Sequence, residues 1–217
     1  MHFAFSEEQE ELRRITRQFL ESKSPEAEVR RLMETTEGYD PAVWSQMANE
    51  LGLQSLTIPE EYGGQGFTYV ELTVVLEEMG APFYSTVVLA ANAIIHSGDE
   101  AAKKDLLPGI ASGETIATLA FTEPNGRWDE SGIEATATRD GDAWTIDGTK
   151  MFVLDGHVAN VIIVAARTSD GISLFKVDGD AAGLTRTALA TMDQTRKQAK
   201  LEFASVPATL IGEERKG

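Results

Sequence analysis

The sequence predicts an α+β protein of two domains, an all-α helical domain over residues 1–115 and an antiparallel β-barrel or sandwich domain over residues 116–217. Three observations predict this class. Apolar residues recur at helical spacing in the first half and alternate with polar residues in the second. Helix caps and prolines punctuate the first half. Asp-Gly pairs, which favour tight hairpin turns, punctuate the second half.

The first three helices are predicted from their caps. Ser6 and Gln9 form a capping-box pair, because each side chain can bond a backbone N–H of the other's turn. Ser24-Pro25 and Asp40-Pro41 each place a cap residue before a proline at the first helical position. We therefore predict helix starts at all three places.

Three further helices are predicted before the boundary. A second capping-box pair, Thr68 with Glu71, starts a helix that Gly80 and Pro82 are predicted to end. The apolar stretch 83–96 is long enough for a buried helix, and a last helix is predicted from about Asp99 to Ile110.

The second half carries strand patterns. Segments of alternating apolar and polar residues lie at 133–138, 144–147, 172–177 and 199–203. The apolar run 161–166 predicts a strand that is buried on both faces. Asp-Gly pairs at 140–141, 147–148 and 170–171 predict turns between strands.

Composition narrows the classes of function. The 19 Lys and Arg against 35 Asp and Glu give a net charge of −16, which disfavours nucleic acid as a partner because phosphate neutralisation needs cations. The chain has no cysteine, which excludes disulfides and thiol chemistry. The three histidines lie far apart in the sequence, so we predict no metal site. Without a long apolar run or a signal peptide, we expect no membrane span and a cytoplasmic location.

The segment 121–129 is the most unusual of the chain. It follows the first predicted strand and combines Arg127 and Trp128 with Glu, Pro, Asn and Gly residues. Loops at strand ends commonly carry ligand contacts, because a rigid scaffold positions them. From the residues alone, a surface loop with an exposed tryptophan remains the alternative.

This loop is similar to a known family motif. Phe121-Thr122-Glu123-Pro124 with Asp129 resembles the TEPxxGSD signature of the acyl-CoA dehydrogenase family. Residues 146–153 resemble the family's I-x-G-x-K-x-W/F-I-T-N-G stretch. Three more segments resemble family motifs, in family order: 59–66 (P-x-x-Y-G-G-x-G), 107–114 (L-P-x-x-x-x-G-E) and 206–213 (V-P-x-x-x-x-L-G).

The resemblance implies a flavoprotein of fatty-acid and lipid metabolism. Family members bind FAD and remove two hydrogens from Cα and Cβ of an acyl-CoA thioester, with hydride transfer to flavin N5. The resemblance also implies an electron-transfer flavoprotein as electron acceptor and assembly into a homo- or hetero-oligomer. The cofactor-binding residues that it implies are Leu119, Phe121, Thr122, Arg127, Trp128, Phe152, Val153 and Leu154. The substrate-binding residues that it implies are Gly126, Arg127 and Trp128.

The family's C-terminal helical domain supplies the catalytic glutamate, and we expect that this chain lacks that domain. We therefore predict no catalytic residue here. Glu123 belongs to the family motif without acting as the base, so we expect it to order the loop.

Departures from the family pattern leave an alternative open. Arg127-Trp128 replaces a usual Gly-Ser pair, and Leu154 replaces a usual threonine that bonds near flavin N5. Asp155 replaces the common asparagine. The alternative is a flavin-poor or non-catalytic partner subunit of a heteromeric dehydrogenase. A third hypothesis, an acidic module that binds another protein, explains the charge but not the ordered motifs.

Overall fold

A computed structural model of the chain describes residues 4–79 and 84–217. The described α-helices are α1 (Glu7–Lys23), α2 (Glu26–Met33), α3 (Pro41–Asn49), α4 (Tyr69–Met79), α5 (Ala91–His96) and α6 (Glu100–Ala111). A π-helical segment, Tyr84–Ala90, leads directly into α5, and short 3-10 turns lie at Leu53–Ser55, Glu60–Tyr62 and Glu130–Gly132. The predicted helix end at Gly80 and Pro82 lies outside the described residues, as does Phe83.

Two of the predicted caps are confirmed. The Ser6 hydroxyl accepts from the backbone N of Gln9 at 3.2 Å, and the Gln9 side chain accepts from the backbone N of Ser6 at 3.0 Å. Asp40 accepts from the backbone N of Ala42 at 2.7 Å, with Pro41 at the first helical position.

The predicted cap at Ser24 is wrong. Pro25 occupies the cap position of α2, and the helix begins one residue later, at Glu26, without a side-chain cap. The fixed φ of proline starts the turn, but its ring offers the free backbone N–H groups no acceptor.

The β-strands form one sheet. They are β1 (Ala117–Ala120), β2 (Thr136–Asp140), β3 (Ala143–Leu154), β4 (Val161–Arg167), β5 (Ile172–Asp178), β6 (Leu184–Leu189) and β7 (Gln198–Ile211). The order is β1-β4-β2-β3-β7-β5, and β4 also pairs with β5, so the sheet closes on itself as a barrel. β6 adds to the edge of β7. Most pairs are antiparallel, as predicted, but β1 pairs with β4 in parallel.

The predicted turn at Asp147-Gly148 is also wrong, because both residues lie within β3. The pairing of β3 with β7 shifts register between Ile146 and Gly148, so the pair marks a bulge. Gly148 has a φ of 140°, and a Cβ there would lie 2.7 Å from the Cβ of Ala135. A glycine is required at this bulge because of that close approach.

Three apolar clusters hold the chain together. One fills the barrel and includes Ile146, Phe175 and Leu201. A second joins α5 and α6 to the outer face of β1 and β4. The third lies between α1, α3 and α4. The helices therefore pack on the barrel through the β1–β4 face, which explains why β4 is apolar on both faces.

In the part of the chain that the structure describes, no helix is long and apolar enough to cross a bilayer. The same residues contain no group of three or more His, Asp or Glu placed to hold a metal ion.

Candidate functional site

The loop that follows β1 lies against the end of β3. The backbone N of Met151 donates to the carbonyl of Thr122 at 2.8 Å. The Thr118 hydroxyl, in β1, donates to the carbonyl of Leu154, the last residue of β3, at 2.6 Å. The two segments that the sequence singled out, 121–129 and 150–155, are therefore adjacent in the fold.

A buried ion pair joins the loop to β3. The Nζ of Lys150 lies 2.6 Å from Oε1 of Glu123, and both side chains are buried. Glu123 also accepts from the backbone N of Glu134 and of Ala135, each at 2.9 Å. Burial lowers the pKa of Lys150, and the hydrogen bond from Lys150 to Glu123 opposes that shift.

Glu123 thus has a structural part in the loop. Its carboxylate is buried and already receives three donors, which is the loop-ordering arrangement expected from the sequence. A base must reach the proton that it removes, and this carboxylate is not free to do so.

Hydrogen bonds within the outer half of the loop also order it. Asn125 donates to the carbonyl of Gly132 at 2.9 Å and accepts from the backbone N of Arg127 at 2.9 Å. The Arg127 guanidinium donates to the Ser131 hydroxyl at 3.0 Å. Hydrogen bonds from Ser131 hold the pKa of Asp129 below its ordinary value. The loop presents Arg127 on a braced backbone, which reduces the entropy that a bound ligand would cost.

Aromatic side chains are exposed on both segments. Trp128 is 81% exposed and meets Phe121 edge to face, with ring centroids 6.1 Å apart. Phe152 is 53% exposed and has a φ of 57°. It lies in a second bulge of β3, where the register with β7 shifts between Lys150 and Val153. Bulges re-aim side chains, and here the bulge leaves a large ring in solvent beside the Thr122–Met151 hydrogen bond.

The predicted cofactor residues do not all present side chains at this surface. Leu119 packs between β1 and the helices, and Val153 lies in the barrel core. Val153 can offer a ligand only backbone atoms, whereas the side chain of Leu119 is half-buried. Leu154 is half-buried, and its carbonyl accepts from Thr118. Gly126 has a φ of 70° with open space around the position of a Cβ, so ligand access there is unobstructed.

Among residues 4–79 and 84–217, the Thr122 hydroxyl has no hydrogen-bond partner, although its carbonyl is used. The two adjacent segments therefore carry exposed aromatic rings, the Thr122 hydroxyl and the Arg127 guanidinium. Such a combination suits a planar aromatic ligand with polar edges.

A contact that the sequence reasoning missed joins the helices to this site. The Ser85 hydroxyl, in the π-helical segment, donates to Oδ2 of Asp155 at 2.6 Å. Asp155 follows β3 with a φ of 53°, and its backbone N donates to the carbonyl of Lys197 at 3.0 Å. Burial raises the pKa of Asp155 above its ordinary value of 3.8, although the Ser85 hydrogen bond opposes the shift.

We expect Asp155→Asn to stabilise the protein at neutral pH. Because the folded-state pKa is raised, the native state holds a proton that the unfolded state releases, and stability is lost as pH rises from 3.8 through the folded pKa. Asparagine carries no charge and can still accept from Ser85. The gain above this window should be about 1.4 kcal/mol for each pKa unit of the shift.

Urea unfolding of both proteins across a pH series measures this gain. The two curves should converge as the pH falls below 3.8, because the Asp155 carboxyl then becomes protonated in both the folded and the unfolded state. Asp142→Asn, at an exposed turn, is the matched control and should show little difference. A gain for Asp155→Asn that does not change with pH would contradict the prediction.

Comparison with known proteins shows the family of the chain. Residues 6–114 match the acyl-CoA dehydrogenase N-terminal domain, and residues 118–206 match the acyl-CoA dehydrogenase middle domain. The mitochondrial isovaleryl-CoA dehydrogenase of Pongo abelii is 35% identical over 172 residues, which cover 75% of this chain and 40% of that protein. The chain thus spans well under half the length of this curated relative.

Solved structures share the fold. An acyl-CoA dehydrogenase from Geobacillus kaustophilus superposes with a TM-score of 0.90 at 28% identity, covering 100% of this chain and 61% of that one. An acyl-CoA dehydrogenase from Bacillus anthracis complexed with FAD superposes with a TM-score of 0.88 at 26% identity, covering 96% of this chain and 38% of that one. With two consecutive family domains matched over most of its length, the chain belongs to the acyl-CoA dehydrogenase family.

Proposed function

We propose that this chain forms the helical and β parts of an FAD-dependent acyl-CoA dehydrogenase that introduces a double bond between Cα and Cβ of an acyl-CoA thioester. The observation that carries the proposal is the bulge of β3, which exposes Phe152 next to Met151, whose backbone N donates to the carbonyl of Thr122. When bound, FAD would accept the hydride from Cβ, since the protein side chains supply no hydride acceptor.

The residues of the loop and of β3 fit such a cofactor. Phe152, Phe121 and Trp128 offer apolar ring surface, and the Thr122 hydroxyl can bond a polar ring edge. Leu119, Val153 and Leu154 would contribute backbone contacts. These roles do not depend on the donor that Leu154 lacks.

The thioester would lie on the side of Gly126, Arg127 and Trp128. Arg127 is a local cation in a chain of net charge −16, which repels a polyanionic CoA at long range. Its guanidinium is therefore the group on this loop that favours the CoA phosphates.

We assign no described residue as the base that removes the α-proton. Glu123, the carboxylate of the loop motif, is buried beneath the loop. By family resemblance, that base comes from a C-terminal helical domain, the electrons pass to an electron-transfer flavoprotein, and the protein acts as an oligomer. These assignments rest on the family resemblance and belong to the proposal.

Titration of the chain with FAD, followed by quenching of flavin fluorescence, tests the proposal. We expect saturable binding of one FAD, and Phe152→Ala should weaken it about 2- to 12-fold, the range that one aromatic contact is worth. Phe67→Ala is the matched control, since Phe67 is an exposed ring that is 44% accessible and lies among the helices. It should leave the dissociation constant unchanged.

Equal weakening by Phe67→Ala would remove the β3 bulge from the site. Absence of saturable binding would overturn the proposal for this chain and favour the partner subunit, in which a second chain carries the flavin. Leu154, which has no donor at the position of the usual threonine, is the observation that keeps this alternative open.

A further inference from the structure

Two consecutive hydroxyls of the π-helical segment bond to two different parts of the barrel. The Ser85 hydroxyl donates to Oδ2 of Asp155, directly after β3, at 2.6 Å. The Thr86 hydroxyl donates to the carbonyl of Ala117 in β1 at 2.8 Å and accepts from the backbone N of the same residue at 3.2 Å. π-Helical turns are rare and frequently lie at functional sites. This one joins the helices to both strands that lead into the candidate site.

A third hydroxyl closes these contacts into a ring. Thr118, in β1, donates to the carbonyl of Leu154 at 2.6 Å, and Leu154 directly precedes Asp155. We call this set of contacts the hydroxyl ring. It passes through three pairs of neighbouring residues, 85–86, 117–118 and 154–155. The end of β3 is therefore bonded from two sides, by Ser85 of the helices and by Thr118 of β1.

The hydroxyl ring is inaccessible to water at its donors. The side chains of Ser85, Thr86 and Thr118 are all buried. A buried polar group that loses its partner keeps the cost of its desolvation, because no water replaces the bond. A buried network whose members are all bonded also favours a single arrangement. The ring therefore fixes the end of β3 relative to β1 and to the helices.

The position of this backbone matters to the proposed cofactor site. Leu154 has no polar side chain, so it can bond a polar edge of a ligand only through its backbone. A side chain can rotate to meet a ligand, whereas a backbone group moves only with its segment. The pairing of β3 with β7 shifts register between Lys150 and Val153, so the ladder is interrupted just before this point.

We propose that Ser85 and Thr118 are positioning residues for FAD, and that they act by fixing residues 154–155 through the hydroxyl ring. This inference rests on the proposed function. Neither side chain contacts the cofactor in this arrangement, since each bonds to the end of β3 instead. A segment that is already ordered lowers the entropy that binding costs.

Hydrogen–deuterium exchange of the chain without cofactor measures the first half of the inference. The backbone N of Asp155 donates to the carbonyl of Lys197, and the backbone N of Gly156 donates to the carbonyl of Val153. Ser85→Ala removes one donor of the ring, and Thr118→Val removes the other without changing the shape of the side chain. Each variant should speed exchange at residues 154–156 at least about fivefold, because a buried acceptor loses its partner.

Titration with FAD, followed by quenching of flavin fluorescence, measures the second half. Ser85→Ala and Thr118→Val should each weaken FAD binding about 2- to 12-fold, since the cofactor must then order a looser segment. Thr118→Ser keeps the hydroxyl and should restore the dissociation constant to within about twofold of the parent value.

Val75→Ala is the matched control for a general loss of stability. Val75 is buried on α4, in the cluster between α1, α3 and α4, which contains no residue of the hydroxyl ring. It should destabilise the chain by removing buried methyl groups, yet leave both exchange at residues 154–156 and the dissociation constant of FAD unchanged. Near-ultraviolet circular dichroism checks folding, and either ring variant tests the inference if the other does not fold.

The outcomes separate this inference from the proposed function. A parent chain that binds no FAD would overturn both. If the parent binds FAD but the folded ring variants bind it equally well, the inference alone is overturned, even where exchange becomes faster. Unchanged exchange in both ring variants, or equal weakening of FAD binding by Val75→Ala, would overturn it as well.

Discussion

Lys150→Met is expected to lower the free energy of unfolding by about 3–5 kcal/mol, the usual cost of leaving one partner of a buried ion pair uncompensated. Lys150 is fully buried, with its Nζ 2.6 Å from Glu123. Methionine fills most of the space but leaves the Glu123 carboxylate without its cation. The same carboxylate holds the backbone of residues 134 and 135, so the loop should loosen as the barrel loses stability.

Urea denaturation followed by far-ultraviolet circular dichroism measures this loss. Lys200→Met is the matched control, because Lys200 pairs with Glu202 at 2.7 Å on the exposed side of β7. An exposed pair is worth about 0–1 kcal/mol, so this variant should stay close to the parent.

The double variant Glu123→Gln with Lys150→Met removes both charges and should be more stable than Lys150→Met alone. If Lys150→Met lowered the free energy of unfolding no more than Lys200→Met does, the prediction that the buried ion pair stabilises the loop would be wrong.

The second large effect is expected for Gly64→Ala, at or above the ~3 kcal/mol upper end of usual overpacking costs. A Cβ on Gly64 would collide with the carbonyl of Ile58 and lie 2.6 Å from its Cβ. The backbone around Gly64 cannot shift to relieve this clash. The backbone N of Gln65 donates to the carbonyl of Ser55, and the backbone N of Gly66 donates to the carbonyl of Ile58, each at 2.9 Å. Backbone atoms on both sides of the clash are therefore held by hydrogen bonds.

Thermal and urea unfolding of Gly64→Ala should show this loss. Gly98→Ala serves as the comparison, since Gly98 has a φ of 75° and open space around its Cβ position. It carries only the left-handed backbone cost of about 1–2 kcal/mol. A smaller loss at Gly64 than at Gly98 would contradict the steric explanation.

The Asp-Gly pairs show how far local sequence predicts the fold. Asp140-Gly141 does turn the chain between β2 and β3, whereas Asp147-Gly148 lies inside β3. The dipeptide is the same in both places. The difference is tertiary, because the Asp147 side chain accepts from the backbone N of Ser205 on β7, and that long-range pairing keeps β3 extended.

The candidate site divides in the same way. Thr122, Trp128 and Phe152 could be selected in advance, because they lie in contiguous motifs that resemble those of a known family. The partnership of Lys150 with Glu123 and that of Asp155 with Ser85 were missed. Each joins residues that are far apart in the chain, so no local spacing could have revealed it.

The sequence by itself determined the change from helices to strands, the caps at Ser6 and Asp40, and the segments that carry the family motifs. These are local properties, since hydrophobic period and capping act over a few residues. The tertiary structure alone decided barrel closure, the parallel pairing of β1 with β4 and the exposure of Phe152. These features depend on contacts between segments that are far apart in the chain. Hydrophobic period, capping and turn preferences act over a few residues and do not specify such contacts.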